Sequence, residues 1–316
     1  ATNLRPALMR SLSLRCRLLP VWALVPGVAS AHVADAQPDA GMAALTWSAD
    51  PLVISLLLLG ALLYGIGHAK LRMRSQLGRR THALRGTAFA GGCLVLVVAL
   101  VSPLDALGGV LFSAHMLQHE LLMIVAAPLL VLGRPLAVWL WAFGPRARAA
   151  IARAVRARAP VAAWRWLTAP IVAWALHAVD VWAWHVPRLF EAALHHPAVH
   201  TLQHWSFFLS ALLFWWTVLG IHRFGQAGAH AMLSVFTTMV HTGALGALLT
   251  LAPVIWYPSY AETTAWGFDP LDDQRVGGLV MWVPGGMAYI VGGLAVAARW
   301  LVRRQAPGSP EMIARP

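Results

Sequence analysis

The chain has 316 residues, of which 59% are hydrophobic and only 11% are charged. Soluble domains carry about 25% charged residues, so this composition excludes an ordinary soluble protein and indicates a polytopic membrane protein. The net charge of +12 would also suit a nucleic-acid-binding protein, but the positions of the charges argue against that class. Cys16 and Cys93 form no CxxC motif, so a metal site would need histidine, methionine or carboxylate ligands.

Residues 1–31 are predicted to be an export signal. Four arginines precede an apolar stretch at 18–28 that is too short to span a bilayer, and Ala29-Ser30-Ala31 provides a small-x-small cleavage pattern. Residues 32–50 would then form a tail on the periplasmic side. Cleavage would leave His32 as the new N-terminus, where it could chelate a metal, although an incidental histidine in a disordered tail is the simpler interpretation.

Seven apolar segments follow, each close to the roughly 20 residues that cross a bilayer as a helix. They lie near residues 51–69, 86–103, 111–133, 166–186, 200–220, 230–252 and 276–300. The predicted fold is therefore an all-α, polytopic membrane helix bundle with seven transmembrane helices over residues 51–302, followed by a cytoplasmic tail at 303–316.

The basic residues predict the orientation of this bundle. The connections at 70–85 and 134–165 hold six and seven basic residues, whereas the connections on the opposite side hold only Arg188 and Arg275. By the positive-inside rule, the N-terminus lies outside and the C-terminus inside, which indicates a multi-pass protein of a bacterial inner membrane. The basic excess is then a topology signal and a contact to anionic membrane lipids, and no nucleic-acid partner is predicted.

Two histidine pairs are the strongest candidate metal ligands. His115 and His119 are four residues apart in His115-Met-Leu-Gln-His119, so both imidazoles lie on one helical face with the spacing to bind one ion. His200 and His204 repeat that spacing at the start of a later apolar segment. Imidazole at membrane depth is costly to bury without a partner, which favours a site, although hydrogen bonding between helices is the alternative.

Further candidates lie on the same outer half of the predicted bundle. His177, His185 and His196 are there, and Asp180 could orient His177 from three residues away or simply bond another helix. Glu120 has three open interpretations, as a ligand, a proton acceptor or a partner for another helix. The role of a further histidine at mid-depth, His241, is also open.

Ligand type bears on the identity of the metal. Imidazole suits copper, zinc and iron, while thioether ligands favour Cu(I). Four methionines lie near the proposed site, namely Met116, Met123, Met239 and Met281. Methionine is also an ordinary filler of apolar cores, so copper is only slightly favoured on these grounds.

Several stretches together resemble a known family. The run from His115-Met-Leu-Gln-His119 to Gly133-Arg134-Pro135, with Pro128 between, is similar to the signature of the CtaG-like, seven-helix cytochrome c oxidase assembly proteins. Four more stretches match in order over about residues 110–300: Trp184-His-Val-Pro187, His200-Thr-Leu-Gln-His204 through Trp216, Tyr257-Pro-Ser-Tyr260, and Asp273-Gln274 to Gly285. The resemblance implies a role in maturing a haem-copper oxidase, with copper handled on the outer side of the membrane. The positions that match its pattern are His115, His119, His185, His200, His204, Asp273, Gln274 and Met281.

The predicted function is a non-enzymatic membrane assembly factor. Its outward-facing histidine cluster would receive Cu(I), with a periplasmic copper donor as a further expected partner, and pass it to an oxidase subunit. A membrane di-iron oxygenase of the desaturase or hydroxylase type is the first alternative, although its histidine boxes belong on the cytoplasmic face. A b-type haem protein is the next, although pairs on one helix do not resemble facing axial ligands. Copper transport across the bilayer is a further alternative, although it would need a series of ligands that continues to the inner face, and the sequence shows none.

Overall fold

The computed structural model describes residues 46–74, 78–219, 227–261, 267 and 269–305. The predicted signal segment, His32 and most of the two predicted tails lie outside these residues. The regular structure within them is helical, apart from turns and one short 3-10 segment at Pro258–Tyr260. The helices are α1 (Pro51–Arg74), α2 (Arg79–Leu100), α3 (Pro103–Gly108), α4 (Phe112–Gly133), α5 (Pro135–Ala142), α6 (Pro145–Val155), α7 (Arg158–Leu167), α8 (Pro170–Trp184), α9 (Pro187–His195), α10 (Pro197–Val218), α11 (Ala227–Thr250) and α12 (Pro270–Gln305).

Five of these helices are long and apolar enough to cross a membrane, namely α1, α2, α4, α11 and α12. Helices α7 and α8 meet at an angle of 64° and provide a sixth candidate if the bent pair forms one span. The prediction of an all-helical membrane protein is confirmed at this level, while seven spans and the orientation stay predictions. Helix α10 has 22 residues but is not among these candidates, and its first two turns contain the polar residues Gln203 and His204.

Proline marks where most of the helices begin. Eight of the twelve helices start at a proline, a position where the missing N–H is not needed and the fixed φ suits the first turn. In α1 the preceding Asp50 also accepts hydrogen bonds from the backbone N–H groups of Leu52 and Val53, at 2.8 and 3.3 Å. In a chain with few polar residues, prolines and short polar caps therefore fix the ends of the apolar segments.

Helix α4 contains a π-helical stretch, Leu121–Ala126, directly after the residues that carry its histidines. Pro128 follows, and a proline inside a helix lacks the N–H that would bond an earlier carbonyl. The Met123 carbonyl, five residues before Pro128, instead accepts a hydrogen bond from the Trp215 indole at 2.9 Å. This bond joins α4 to α10 below the histidine pairs of both helices.

Glycine lets α11 and α12 pack with their backbones in contact. A Cβ atom at Gly278 would lie 2.6 Å from the Thr250 backbone nitrogen and 2.7 Å from the Gly246 carbonyl oxygen. Small residues at such crossings are a common way for membrane helices to associate. This close pair holds the start of α12 in place, where Asp273 and Gln274 lie.

Replacing Gly278 with alanine should therefore destabilise the bundle, since backbone atoms cannot move aside as a flexible side chain can. We expect a loss of about 1–3 kcal/mol, typical of overpacking. The matched control is Gly286→Ala on the same helix, where no atom lies within 4 Å of the added methyl group. Thermal unfolding in detergent should show a lower midpoint for Gly278→Ala only; equal midpoints for the two variants would contradict this packing.

Candidate metal centre

Helices α4 and α10 bring one histidine of the first pair against both histidines of the second. One ring nitrogen each of His115, His200 and His204 lies within 4.8 Å of the other two. The ring centroids of His200 and His204 are 4.2 Å apart, and that of His115 lies 5.6 and 6.2 Å from them. These three residues are called the histidine triad below.

His119 adds a fourth imidazole at the edge of the triad. Its ring centroid lies 4.3 Å from that of His115 and 5.2 Å from that of His204, with both ring pairs nearly perpendicular. On its other side it packs against Phe207 at 4.6 Å. Both of its ring nitrogens are buried and make no hydrogen bond, so His119 can join the triad by rotation of its side chain.

Hydrogen bonds orient the His115 ring. Its Nδ1 lies 3.2 Å from the Gly108 carbonyl oxygen and 3.3 Å from the Tyr260 hydroxyl, and Tyr260 itself donates to the same carbonyl at 2.7 Å. Because a carbonyl only accepts, this arrangement assigns the proton to Nδ1 of His115. The lone pair of Nε2 is then available to bind a metal ion. That Nε2 atom is buried and has no hydrogen-bond partner.

Burial, together with the carboxylates of Asp273 and Glu191, raises the pKa of the Tyr260 phenol well above its usual value. Tyr260 lies in the segment between α11 and α12, outside the candidate spans. Its hydroxyl therefore stays protonated and continues to donate to Gly108 at any pH at which the protein works. This keeps the ring of His115 in the orientation described above.

The first turn of α4 is fixed by a carboxylate from α12. Its own N-cap residue, Leu111, provides no side-chain acceptor, whereas Asp273 accepts hydrogen bonds from the backbone N–H groups of Phe112 (2.6 Å) and Ser113 (3.2 Å) and from the Ser113 hydroxyl. The first N–H groups of a helix have no partner within it, and a carboxylate there also complements the helix dipole. Asp273 therefore sets the position of His115 one turn further on.

Neighbouring side chains extend this framework around the site. Gln118, buried between the two histidines of α4, donates to the Ala99 carbonyl at 2.7 Å and to Asp105 at 2.8 Å. Beside Asp273, Gln274 accepts from the Trp256 backbone N–H at 2.7 Å. The segment after α11 and the end of α2 are thereby tied to the same two helices.

The donor set of the triad fits a metal ion. Imidazole nitrogens bound to one ion at about 2.0–2.1 Å lie roughly 3.5 Å from one another in a trigonal arrangement. The observed separations of up to 4.8 Å exceed this value by little more than 1 Å, so small side-chain rotations would be enough to close them. The buried and unbonded Nε2 atoms of His115 and His204 are what such a site requires.

The three residues of the triad also line a large cavity of about 1370 Å³. His115 is buried, whereas His200 and His204 are half-buried. The ring of Phe190 packs against His115, with the two ring centroids 5.1 Å apart. An ion held by the triad would therefore be accessible from this cavity.

His185 lies near the triad but outside it. It directly follows α8 as the C-cap residue, and its Nδ1 is 2.6 Å from the Val181 carbonyl oxygen. Its Nε2 is buried and has no hydrogen-bond partner. Its ring centroid is 6.2 Å from that of Phe207, the residue that also contacts His119. The backbone carbonyl of His185 accepts from Tyr257 at 3.0 Å.

His177 and Asp180 form a separate polar cluster through Ser210. The Ser210 hydroxyl donates to Asp180 at 2.9 Å and lies 3.0 Å from Nδ1 of His177. Ser210 is six residues after His204 on α10, about 9 Å along the helix, so this cluster cannot share one ion with the triad. His241, with Nδ1 3.3 Å from the Trp182 indole nitrogen, lies on the neighbouring α11.

The remaining predicted site residues lie elsewhere. His196 is exposed at the start of α10, and Met281 is 2% exposed within the main hydrophobic core on α12. Glu120 is buried beside His119 but its Oε2 faces α12, 3.0 Å from where a Cβ of Gly285 would be. The sequence contains no signal for the roles of Gly108 and Ser210. Gln203 is fully buried between the two histidines of α10, and its place in the His-x-x-Gln-His motif was a signal that the sequence analysis did not use.

Comparison with known proteins identifies the family. No curated protein and no solved structure matches the chain. The family model described as cytochrome c oxidase caa3 assembly factor (Caa3_CtaG) matches residues 62–303, which are 242 of the 316 residues and include every residue of the triad. This match confirms the resemblance to the CtaG-like proteins: the chain belongs to the cytochrome c oxidase caa3 assembly factor family.

Proposed function

We propose that this protein binds Cu(I) at the histidine triad and delivers it to a haem-copper oxidase during assembly, without catalysing a reaction itself. The observation that carries the proposal is the approach of His115, His200 and His204 to within 4.8 Å in a protein of an oxidase assembly family. Copper is the cargo, so the site must bind it and also release it. His119 would supply a fourth imidazole during exchange.

The charge of the ligands supports Cu(I) over a divalent ion. The triad consists of three neutral imidazoles with no carboxylate or thiolate, so the bound ion keeps its full charge. The cost of placing charge in an apolar environment rises steeply with the size of the charge, which favours a monovalent ion. The same ligand count argues against a di-iron oxygenase, because the described residues contain only one such cluster and it has no bridging acid.

The proposed topology places the triad on the periplasmic side of a bacterial inner membrane. Helix α10 would be a seventh span in addition to the five long helices and the bent pair of α7 and α8. The basic residues of 70–85 and 134–165 would face the cytoplasm, with a cleaved signal at 1–31, a periplasmic tail at 32–50 and a cytoplasmic tail at 303–316. A periplasmic copper donor could then reach the triad from outside.

Removal of two triad ligands should abolish copper binding. We expect detergent-purified wild-type protein loaded anaerobically with Cu(I) to retain about one copper. The His115→Ala/His204→Ala variant should retain none, because His200 is then left only with His119, whose ring contacts His115 and His204 rather than His200. The control is His230→Ala, which replaces an exposed histidine in the first turn of α11 and should leave copper binding unchanged. Elemental analysis measures all three, and zinc loaded in parallel should bind more weakly.

In cells, the double variant should also lower the copper content and activity of the oxidase, while His230→Ala should leave both unchanged. Equal copper in wild type and double variant, or normal oxidase in cells that make only the double variant, would contradict the proposal.

Loss of the α4 cap should weaken copper binding from a distance. Asp273→Ala would remove the acceptor of the buried Phe112 backbone N–H and of the half-buried Ser113 backbone N–H. We expect a loss of about 1–3 kcal/mol in stability and more freedom in the turn that positions His115. Asp272→Ala is the matched control, since its carboxylate pairs only with Arg275 on the surface of the same helix. The thermal unfolding midpoint and the copper affinity should both fall for Asp273→Ala, and neither should change for Asp272→Ala. Unchanged copper affinity in a folded Asp273→Ala protein would exclude this positioning role.

A further inference from the structure

The cavity beside the triad is a groove that runs along most of the bundle. On α10 its lining forms one continuous stripe from His200 to Trp216, about 24 Å along the helix axis and thus close to the thickness of a bilayer core. On α1 the opposite wall contains Leu52 and Leu56. The lining reaches Asp50 and Asp105 at the triad end, and Pro135 and Trp164 at the other end.

The size of the groove does not suit a small molecule. Pockets for such ligands usually measure about 300–1,000 Å³ and enclose the ligand, whereas this groove measures about 1370 Å³ and extends along the spans. Its long walls are apolar, with Leu56 and Leu209 still 41% and 50% exposed. An occupant that covers these walls must itself be apolar and of membrane-spanning length.

The charges of the lining argue against a phospholipid as the specific occupant. Among the described lining residues the charged side chains are Asp50 and Asp105, both at the triad end, and no lysine or arginine is present. An anionic headgroup there would face two carboxylates without a basic partner. A helix of a protein partner has no phosphate and meets no such repulsion.

The triad itself indicates which partner would lie there. His115, His200 and His204 all line this groove, and His115 is only 1% exposed. Ligands that take a metal from the triad must approach to within a few ångströms of the ion, and so they must approach along the groove. The family assembles a cytochrome c oxidase, itself a membrane complex.

We propose that the groove between α1 and α10 is the docking site for one apolar transmembrane helix of the oxidase subunit that receives the metal. This inference rests on the proposed function for its choice of partner. Docking places the acceptor helix along Leu56 and Leu209 and brings its own ligands next to the triad. Transfer then needs no passage of the ion through water.

Site-specific photocrosslinking tests the docking directly. Benzoylphenylalanine is placed at Leu56 or Leu209 of the full-length protein in cells that assemble the oxidase, with Leu58 as the control. Leu58 is 65% exposed and lies on the opposite face of α1 from Leu56. We expect an adduct with an oxidase subunit, mapped by mass spectrometry to an apolar span, several-fold stronger at Leu56 and Leu209 than at Leu58. Adducts only with lipid or a second copy of this chain, or equal adducts at all three positions, would overturn the proposal.

Filling the groove separates this inference from the proposed function. Leu56→Trp should leave Cu(I) binding by the purified protein unchanged but lower the copper content of the oxidase several-fold, whereas Leu58→Trp should affect neither. Normal oxidase copper in Leu56→Trp cells would overturn the docking site while leaving the copper function intact. If the wild-type protein binds no copper, the proposed function fails, and the crosslink from Leu56 still decides whether the helix docks.

Discussion

The position of the candidate metal centre depends on the Asp273 carboxylate at the start of α4. A helix that begins at Phe112 after an apolar residue has no acceptor of its own for its first N–H groups, and Asp273 supplies one from α12. The close contact at Gly278 then fixes α12 against α11. The capped turn leads directly to His115, so a hydrogen-bonded carboxylate one turn away sets the position of that imidazole.

The distribution of charge follows from the apolar surroundings. The buried carboxylate of Asp273 and the half-buried carboxylate of Asp180 accept hydrogen bonds from backbone or side-chain donors, so both serve structure. The triad is left with neutral imidazoles. A bundle that placed a carboxylate among those ligands would bind a cation more tightly and release it less readily, which would not suit the proposed delivery of copper.

Helical periodicity explains what the sequence could predict. The spacing of His115 and His119, and of His200 and His204, is enough to put each pair on one face, because that depends only on residues within one turn. Which two helices face each other is a long-range property, and no local pattern indicated that His115 would meet α10. Nor did any local pattern indicate that His177 would bond Ser210, further along α10 than the triad. The 64° bend between α7 and α8 was likewise absent from the prediction of a single span at 166–186.

Unequal burial of the triad indicates the order in which an ion would leave it. His115 is 1% exposed and held at Nδ1 by Gly108 and Tyr260, whereas His200 and His204 are half-buried on the helix that forms a wall of the groove. An incoming ligand would therefore replace His200 or His204 first, while His115 keeps the ion in place. Under the proposed function, each step would exchange one ligand for another, and the copper would never lose all of its ligands at once. A partner that docks in the groove would approach from the side on which the ligands are easiest to replace.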